Sequence, residues 1–378
     1  MINRIIIAYE YLEGAASTNR IICFAKGYRD HGMDVHLVLY ASKEDKDLHL
    51  EGIHTQFVIA PKLPTKIFRK LVGVTRFIKA VKKLYQPGKS AIHIFSTPWY
   101  GYLFNKKKYN FFFEKGEIPF YSDSKSLLYR LQERVGLKVS PRATGLLAQT
   151  YSLKDYYSDY GVKNIEVINM FVDTSRFENL KIDKSVKYIG YCGTISRQKD
   201  GVDDLITAFS KVHAAHSDYK LMLIGGFDTI YNDEEYIRGR VSELGLNDAV
   251  VFTGRVKPVQ IPSMLASASI LAIARPVNKQ TQYGFPTKLG EYLCTGNPIV
   301  LTPVGEIGNY MKDKENCIFA QSGNVDDLAD KLNWVIDNYD EACAIGQNGR
   351  KLIESDFSIS TQTQKAIEFM SEVSNPRI

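Results

Sequence analysis

Two successive doubly wound α/β sheets are the architecture this sequence predicts, and three observations predict it. Short, continuously apolar, β-branched runs recur along the chain, as parallel strands buried on both faces require. Helical stretches separate them, which is the alternation of βαβ units. The series then breaks at a polar segment near 172–186 and restarts, so one chain holds two such sheets. A length of 378 residues suits two domains of about 100–200 residues each.

In chain order the first series reads RIIIAY, DVHLVLY, HTQFVIA, AIHIFS, YNFFFE, GLLAQT and IEVINM. The second reads KYIGYCGT, YKLMLIGG, AVVFTGR, ASILAIA, PIVLTP and NCIFAQ. The expected domains are 1–175 and 186–355, with 356–378 a helical stretch that either caps the second domain or returns to the first. With 44% hydrophobic and 24% charged residues, a compact soluble fold is expected. No apolar run approaches the roughly 20 residues that span a bilayer. The opening MINRIIIAYEYLEG reaches Glu10 and a glycine too early for a secretory signal. Cys23, Cys192, Cys294, Cys317 and Cys343 form no C-x-x-C pair, so neither disulfides nor structural zinc is expected, and a cytoplasmic setting follows.

Charge is unevenly spread. Between Gly52 and Phe113 there is no Asp or Glu but there are 12 Lys and Arg; the net charge is +6, so the remainder carries 6 − 12 = −6. Such a surface attracts an anionic partner. Within it, KIFRKLVGVTRFIKAVKKLY sets Ile67, Phe68, Leu71, Val74, Phe77, Ile78, Val81 and Leu84 at helical spacing, an apolar face for the first sheet with cations opposite. Trp99, Tyr100, Tyr102 and Phe104 beside three lysines suit a membrane interface or a hydrophobic channel. No nucleic-acid reading module accompanies the charge.

Doubly wound sheets bind ligands beyond the carboxyl ends of their strands, where helix N-termini point amides outward. After the first strand, Gly14, Ala15, Ala16 and Ser17 permit close backbone approach, with Ser17 or Thr18 available to cap the next helix; the loop either binds substrate or is simply a capped turn. In GYCGTISRQKDGVDDLITAF, Gly190 and Gly193 tighten a turn before Arg197 and Lys199, and the following helix presents Val202, Leu205, Ile206 and Phe209 to the core. The two cations either hold a diphosphate or are solvated. The spacing is neither a P-loop nor a dinucleotide fingerprint. Later, Tyr283, Gly284, Phe285, Pro286, Thr287 and Lys288 lead into a short helix over about 287–295, ended by Gly296 and Pro298. Lys288 and the first amides can hold anionic oxygens, and Glu291, an acceptor-only group, can bind two neighbouring hydroxyls, as on a ribose. Alternatively Glu291 is an exposed acid favoured by the helix dipole.

The second half resembles the donor site of GT-B glycosyltransferases of the retaining family-4 type: IGYCGTISRQKDGVDDLITAF, LMLIGG, VVFTGRV, SMLASASILAIARP, GFPTKLGEYLCTGNPIV and DDLADKLNWVIDN occur in that family's order. VINMFVDTSRF resembles the segment that closes the first domain. The resemblance implies two Rossmann-like domains facing a central cleft. It implies that Arg197 or Lys199 neutralises the donor diphosphate, Arg255 and Val256 lie near the base, and Glu291 holds the ribose. Gly193, Thr194, Gly226, Tyr283 and Gly284 to Lys288 complete the implied donor site. Two positions depart from the family: Tyr283 stands where a second Glu is usual, and Thr194 where an Arg is frequent.

What the resemblance implies chemically is transfer with retention, the leaving diphosphate stabilised by cations and amides, with no metal and no cofactor besides the nucleotide-diphosphate sugar. Glu114 and Glu117, after a strand, are candidate bases, and His93 and Ser96 are candidate acceptor-side groups; each has a structural alternative. The expected acceptor is a glycan or lipid-linked glycan in surface polysaccharide or glycolipid synthesis, met at the inner face of a membrane through the basic region 62–108. A non-catalytic GT-B subunit that binds nucleotide sugar or a partner enzyme is the alternative that Tyr283 supports. A sugar-nucleotide epimerase on the same fold has no motif here.

Overall fold

The computed structural model describes residues 2–62, 64–95, 101–119, 127–228 and 233–374. It divides into two units, Met1–Phe171 with Ser358–Ile378, and Val172–Phe357. Among the described residues of the first unit, β1 (Arg4–Glu10), β2 (Asp34–Ala41), β3 (His54–Ile59), β4 (Ser90–Phe95), β5 (Phe111–Lys115), β6 (Gly145–Ala148) and β7 (Ile165–Val167) form one parallel sheet. Its order is β3-β2-β1-β4-β5-β6-β7. The apolar runs form strands because both faces are covered: Ile5, Ile6 and Ile7 are all fully buried, each worth about 1.5–3 kcal/mol of hydrophobic burial. One face packs on Ile21, Phe24 and Tyr28 of the helix Ala16–Asp30. The other packs on Phe77, Ile78 and Val81 of the helix Lys66–Leu84.

That second helix departs from its sequence pattern. Phe68 and Leu71 of the first turns are exposed beside Arg69 and Lys70, Val74 is half-buried, and Phe77, Ile78 and Val81 are buried. Phe104, expected at an interface, is instead buried against Phe111 and Tyr109. Tyr102 is exposed under the Arg142 guanidinium, and Trp99 and Tyr100 lie outside the described residues.

The terminal helix Ile359–Ser374 packs in the first unit. Ala366, Phe369 and Met370 are buried in its core. Gln362 Oε1 accepts the Asn169 amide at 2.8 Å. Gly27 permits the close approach, since a Cβ there would lie 2.5 Å from Thr363.

The second unit holds β8 (Tyr188–Cys192), β9 (Lys220–Ile224), β10 (Val250–Gly254), β11 (Ile270–Ile273), β12 (Ile299–Leu301) and β13 (Ile318–Phe319), all parallel, in the order β10-β9-β8-β11-β12-β13. Val202, Leu205, Ile206 and Phe209 of the helix Val202–Ala215 are fully buried against this sheet. The polar stretch expected as a linker is packed rather than loose. Asp183 takes its amide to Ser267 Oγ at 2.9 Å, and Lys184 Nζ reaches the Ala268 carbonyl at 2.5 Å. Each sheet reverses its strand order once, between β1 and β4 and between β8 and β11. In open α/β sheets that reversal opens a crevice for ligands.

Candidate functional site

The loops after β8 and β11 leave the second reversal in opposite directions, and the expected donor residues gather there. Gly193 follows β8 at φ +149°, and Gly225 follows β9 at φ +142°. A Cβ on Gly225 would lie 2.0 Å from the Gly193 carbonyl oxygen, so the two loops meet backbone to backbone. The Gly193 amide donates to Ile224 at 2.9 Å, and Ile195 donates to Gly226 at 2.8 Å. The Arg255 side chain runs alongside Gly226, with Cγ 3.1 Å from where a Cβ would stand. Thr194 and Arg255 are exposed, and Val256 is half-buried. Gly190 is not a turn residue: it lies inside β8, where a Cβ would come 3.1 Å from Leu271.

Ser196 caps a four-residue helix, Arg197–Asp200, accepting the Lys199 amide at 3.3 Å. Gly201, at φ +60°, then turns the chain into Val202–Ala215, and its missing Cβ admits the Ala274 carbonyl from the end of β11. Arg197 is not the free cation its sequence position suggested. Its guanidinium lies 3.7 Å from the Tyr236 ring centre and 3.4 Å from Asp203. Lys199 is half-buried and engaged.

From β11 the chain passes Arg275, which is buried, and the short helix Lys279–Tyr283, capped by Asn278. Asn278 Nδ2 also donates to Gln198 O at 2.7 Å, tying this loop to the one after β8. The next helix is Lys288–Thr295 with Thr287 at its cap, ended by Gly296 at φ +67°. In its first turn Leu289 and Gly290 are buried, and their amides donate to the Pro286 and Thr287 carbonyls at 2.9 and 3.3 Å. Tyr283 is half-buried, Gly284 and Pro286 are buried, and Phe285 is anchored against Tyr310 and Phe357.

Two ion pairs organise the site. Lys288 Nζ lies 2.5 Å from Asp200 Oδ2 and 2.9 Å from the Tyr191 hydroxyl, over Gly193. Burial pushes the Asp200 carboxyl up, but the charges of Lys288 and Arg275 outweigh it and hold it below the usual range. Burial lowers Lys288 against the pull of Asp200. Glu291, one turn into the helix, binds Arg176 Nη1 at 2.5 Å. Next to it Tyr292 accepts the Cys192 amide at 2.7 Å, locking this helix to the end of β8. Burial, with Glu291 nearby, pushes the Cys192 thiol up to about 12. Asp200, Arg275 and Arg176 were missed in the sequence; the signal available was a charged residue abutting a strand end or a glycine turn.

In the first unit, Gly14 turns at φ +71° and Ala15 heads the helix without a side-chain cap. Gly14 and Ala16 are exposed. The helix starts before Ser17, so Ser17 and Thr18 do not cap it; both hydroxyls bond Tyr9 Oη, at 2.7 and 2.9 Å. Glu114 is not exposed as a base would be. It is buried between Arg20 and His93, whose Nε2 is 3.0 Å away. Burial raises its carboxyl, and Arg20 with His93 overrides that and holds it low. His93 is fully buried, with Nδ1 3.2 Å from the Tyr28 hydroxyl, so it faces no acceptor directly. Glu117 is exposed beyond β5, and Ser96 lies outside the described residues. The D-x-D triplet Asp45-Lys46-Asp47 lies after β2, in the first unit, with Asp45 bonded to Tyr11.

Residues 172–352, nearly all of the second unit, match the family described as Glycosyl transferases group 1. The second unit is thus similar to that family's domain. Solved structures match the chain at TM-scores of 0.70 to 0.78 and 11–16% identity, and the fold is GT-B. One, HepE of Anabaena in complex with UDP-glucose, has a TM-score of 0.75 at 16% identity, covering 98% of this chain and 99% of that one. The MMP alpha-(1->4)-mannosyltransferase of Mycolicibacterium hassiacum is 24% identical over 63% of this chain and 56% of its own length. The chain thus spans about half the length of the first curated relatives it matches. The capsular polysaccharide biosynthesis glycosyltransferase CapM of Staphylococcus aureus is 24% identical over 87% of both chains.

Proposed function

We propose that this glycosyltransferase is of the retaining family-4 type and moves a sugar from a nucleotide-diphosphate sugar to a glycan or lipid-linked acceptor. The observation that carries the reading is the convergence, at one strand-order reversal, of Gly193, Lys288 at the start of the helix Lys288–Thr295, and Glu291. An ammonium at a helix start beside a glycine turn suits a diphosphate; a carboxylate one turn further suits the adjoining ribose diol. Lys199 and Lys288, rather than Arg197, stabilise the leaving group as the sugar C1–O bond breaks. The acceptor hydroxyl forms its bond to C1 on the same face and gives its proton to the departing diphosphate, so no enzyme nucleophile and no cofactor is required. Glu117, exposed in the first unit, is the remaining carboxylate that could assist. HepE's complex with UDP-glucose supports a nucleotide-sugar donor.

The basic helix docks the protein on the anionic inner face of a membrane. Exposed Phe68 and Leu71 beside Arg69 and Lys70 support this, each cation contributing about 1 kcal/mol near such a surface. Among the described residues no helix is long and apolar enough to cross a membrane. Tyr283 favours a second reading, a subunit that binds the sugar nucleotide without turning it over. Slow hydrolysis of sugar nucleotides decides: release of free sugar from any of a donor panel supports transfer, and tight binding with none released supports the subunit.

A further inference from the structure

At the opposite end of the first sheet from its ligand loops, two residues of β2 meet a third from the neighbouring strand β3. Asp34 and His36 are two positions apart on β2 and so share a face. His54 opens β3 and is the direct cross-strand partner of His36. One ligand atom from each of the three lies within 4.8 Å of the others. His36 Nε2 is 3.1 Å from Asp34 Oδ1 and His54 Nε2 is 3.9 Å from it. Arg4 Nε holds the other carboxylate oxygen at 2.6 Å, which leaves Oδ1 facing the imidazoles. His36 Nε2 is buried and, despite its distance to Asp34, is not aligned to complete a hydrogen bond.

We propose that Asp34, His36 and His54 bind a divalent transition metal, Zn2+ foremost. Two imidazoles and one carboxylate favour a borderline-soft cation over Ca2+ or Mg2+, which take oxygen ligands. With Zn–N and Zn–O bonds near 2.0–2.2 Å, ligand atoms of a tetrahedral site stand about 3.3 Å apart. The His36–Asp34 spacing already meets that, and His54, 72% exposed, has freedom to close the remainder. The fourth position faces a groove of about 470 Å³ lined also by Glu44, Asp45 and His49, open to a water ligand. Among the described residues β3 is an edge strand that pairs only with β2. A metal bridging His36 and His54 fastens that edge to the sheet, at the end of the strands opposite the loops that follow them.

The test is calorimetric titration of the chelator-stripped full chain with ZnCl2, alongside thermal unfolding. One saturable site per chain and a raised unfolding temperature are expected. Loss of even an outer-shell partner costs 10–100-fold in metal affinity, so His54→Ala and His36→Ala should each weaken uptake by more than about 10-fold. His31→Ala, whose ring bonds Ser360 elsewhere, should leave it unchanged. Should His36→Ala fail to fold, the exposed His54→Ala and His54→Gln decide, with the tetrahedral Co2+ absorption of the wild type as a second readout that both must lose. No saturable Zn2+ uptake, uptake undiminished in the His54 variants, or preference for Mg2+ overturns the proposal.

Discussion

Both units bury an acid near the reversal of their sheet, and the two burials differ in kind. In the first, the Glu114 and Arg20 side chains are 1% and 7% exposed and His93 completes a sealed network. In the second, Glu291 and Arg176 are 18% and 23% exposed, and Lys288 sits over a glycine turn at a helix start. A sealed pair satisfies its own charges and sustains the fold. A half-open pair keeps lone pairs and protons that a ligand can take over. The difference separates the two acids more sharply than their positions in the sequence do.

Breaking the sealed pair should have the largest effect. Arg20→Met leaves Glu114 buried and uncompensated and should cost about 3–5 kcal/mol of first-unit stability by denaturant unfolding. A loss under 1 kcal/mol would erase the contrast. Next, Lys288→Met should weaken nucleoside diphosphate binding by about 10–100-fold in calorimetry, the worth of a charged hydrogen bond of about 1.5–3 kcal/mol; unchanged affinity would remove Lys288 from the site. Glu291→Ala should weaken the same binding about 10-fold, and less for a 2′,3′-dideoxy nucleotide, which offers no diol. Equal losses for both nucleotides would detach Glu291 from the ribose.

Acid titration sharpens the comparison further. The Glu114 carboxyl is held below its ordinary 4.5 in the fold, so it adds stability above that pH and loses it as pH falls through the lowered value. Glu114→Gln should therefore flatten the fall of first-unit stability below about pH 4.5, seen in denaturant midpoints. The smallest effect concerns the surface: Phe68→Ser with Leu71→Ser should lower flotation with anionic vesicles a few-fold while leaving nucleotide binding intact.

Much of the fold was legible because parallel strands buried on both faces cannot avoid being apolar; RIIIAY and KYIGYC announce β1 and β8 directly. The helix start at Thr287 was legible through proline chemistry and its end at Gly296 through glycine. Partnership was not. Lys288 is 88 residues from Asp200 and Arg176 is 115 from Glu291, and no local periodicity encodes which distant charge will answer another. That is why Arg197 read as a free cation and Glu114 as a base. It is also why His36 and His54, each unremarkable in its own strand, carried no metal signal until the register aligned them.

The return of Ile359–Ser374 to the first unit governs the order in which the protein can be finished. A ribosome makes the first unit's strands early and the helix that closes over Gly27 and Phe112 only after the whole second unit. The unit begun first is thus completed after its neighbour, with part of its apolar surface uncovered throughout synthesis of the other. Shortening the chain at its far end therefore wounds its beginning.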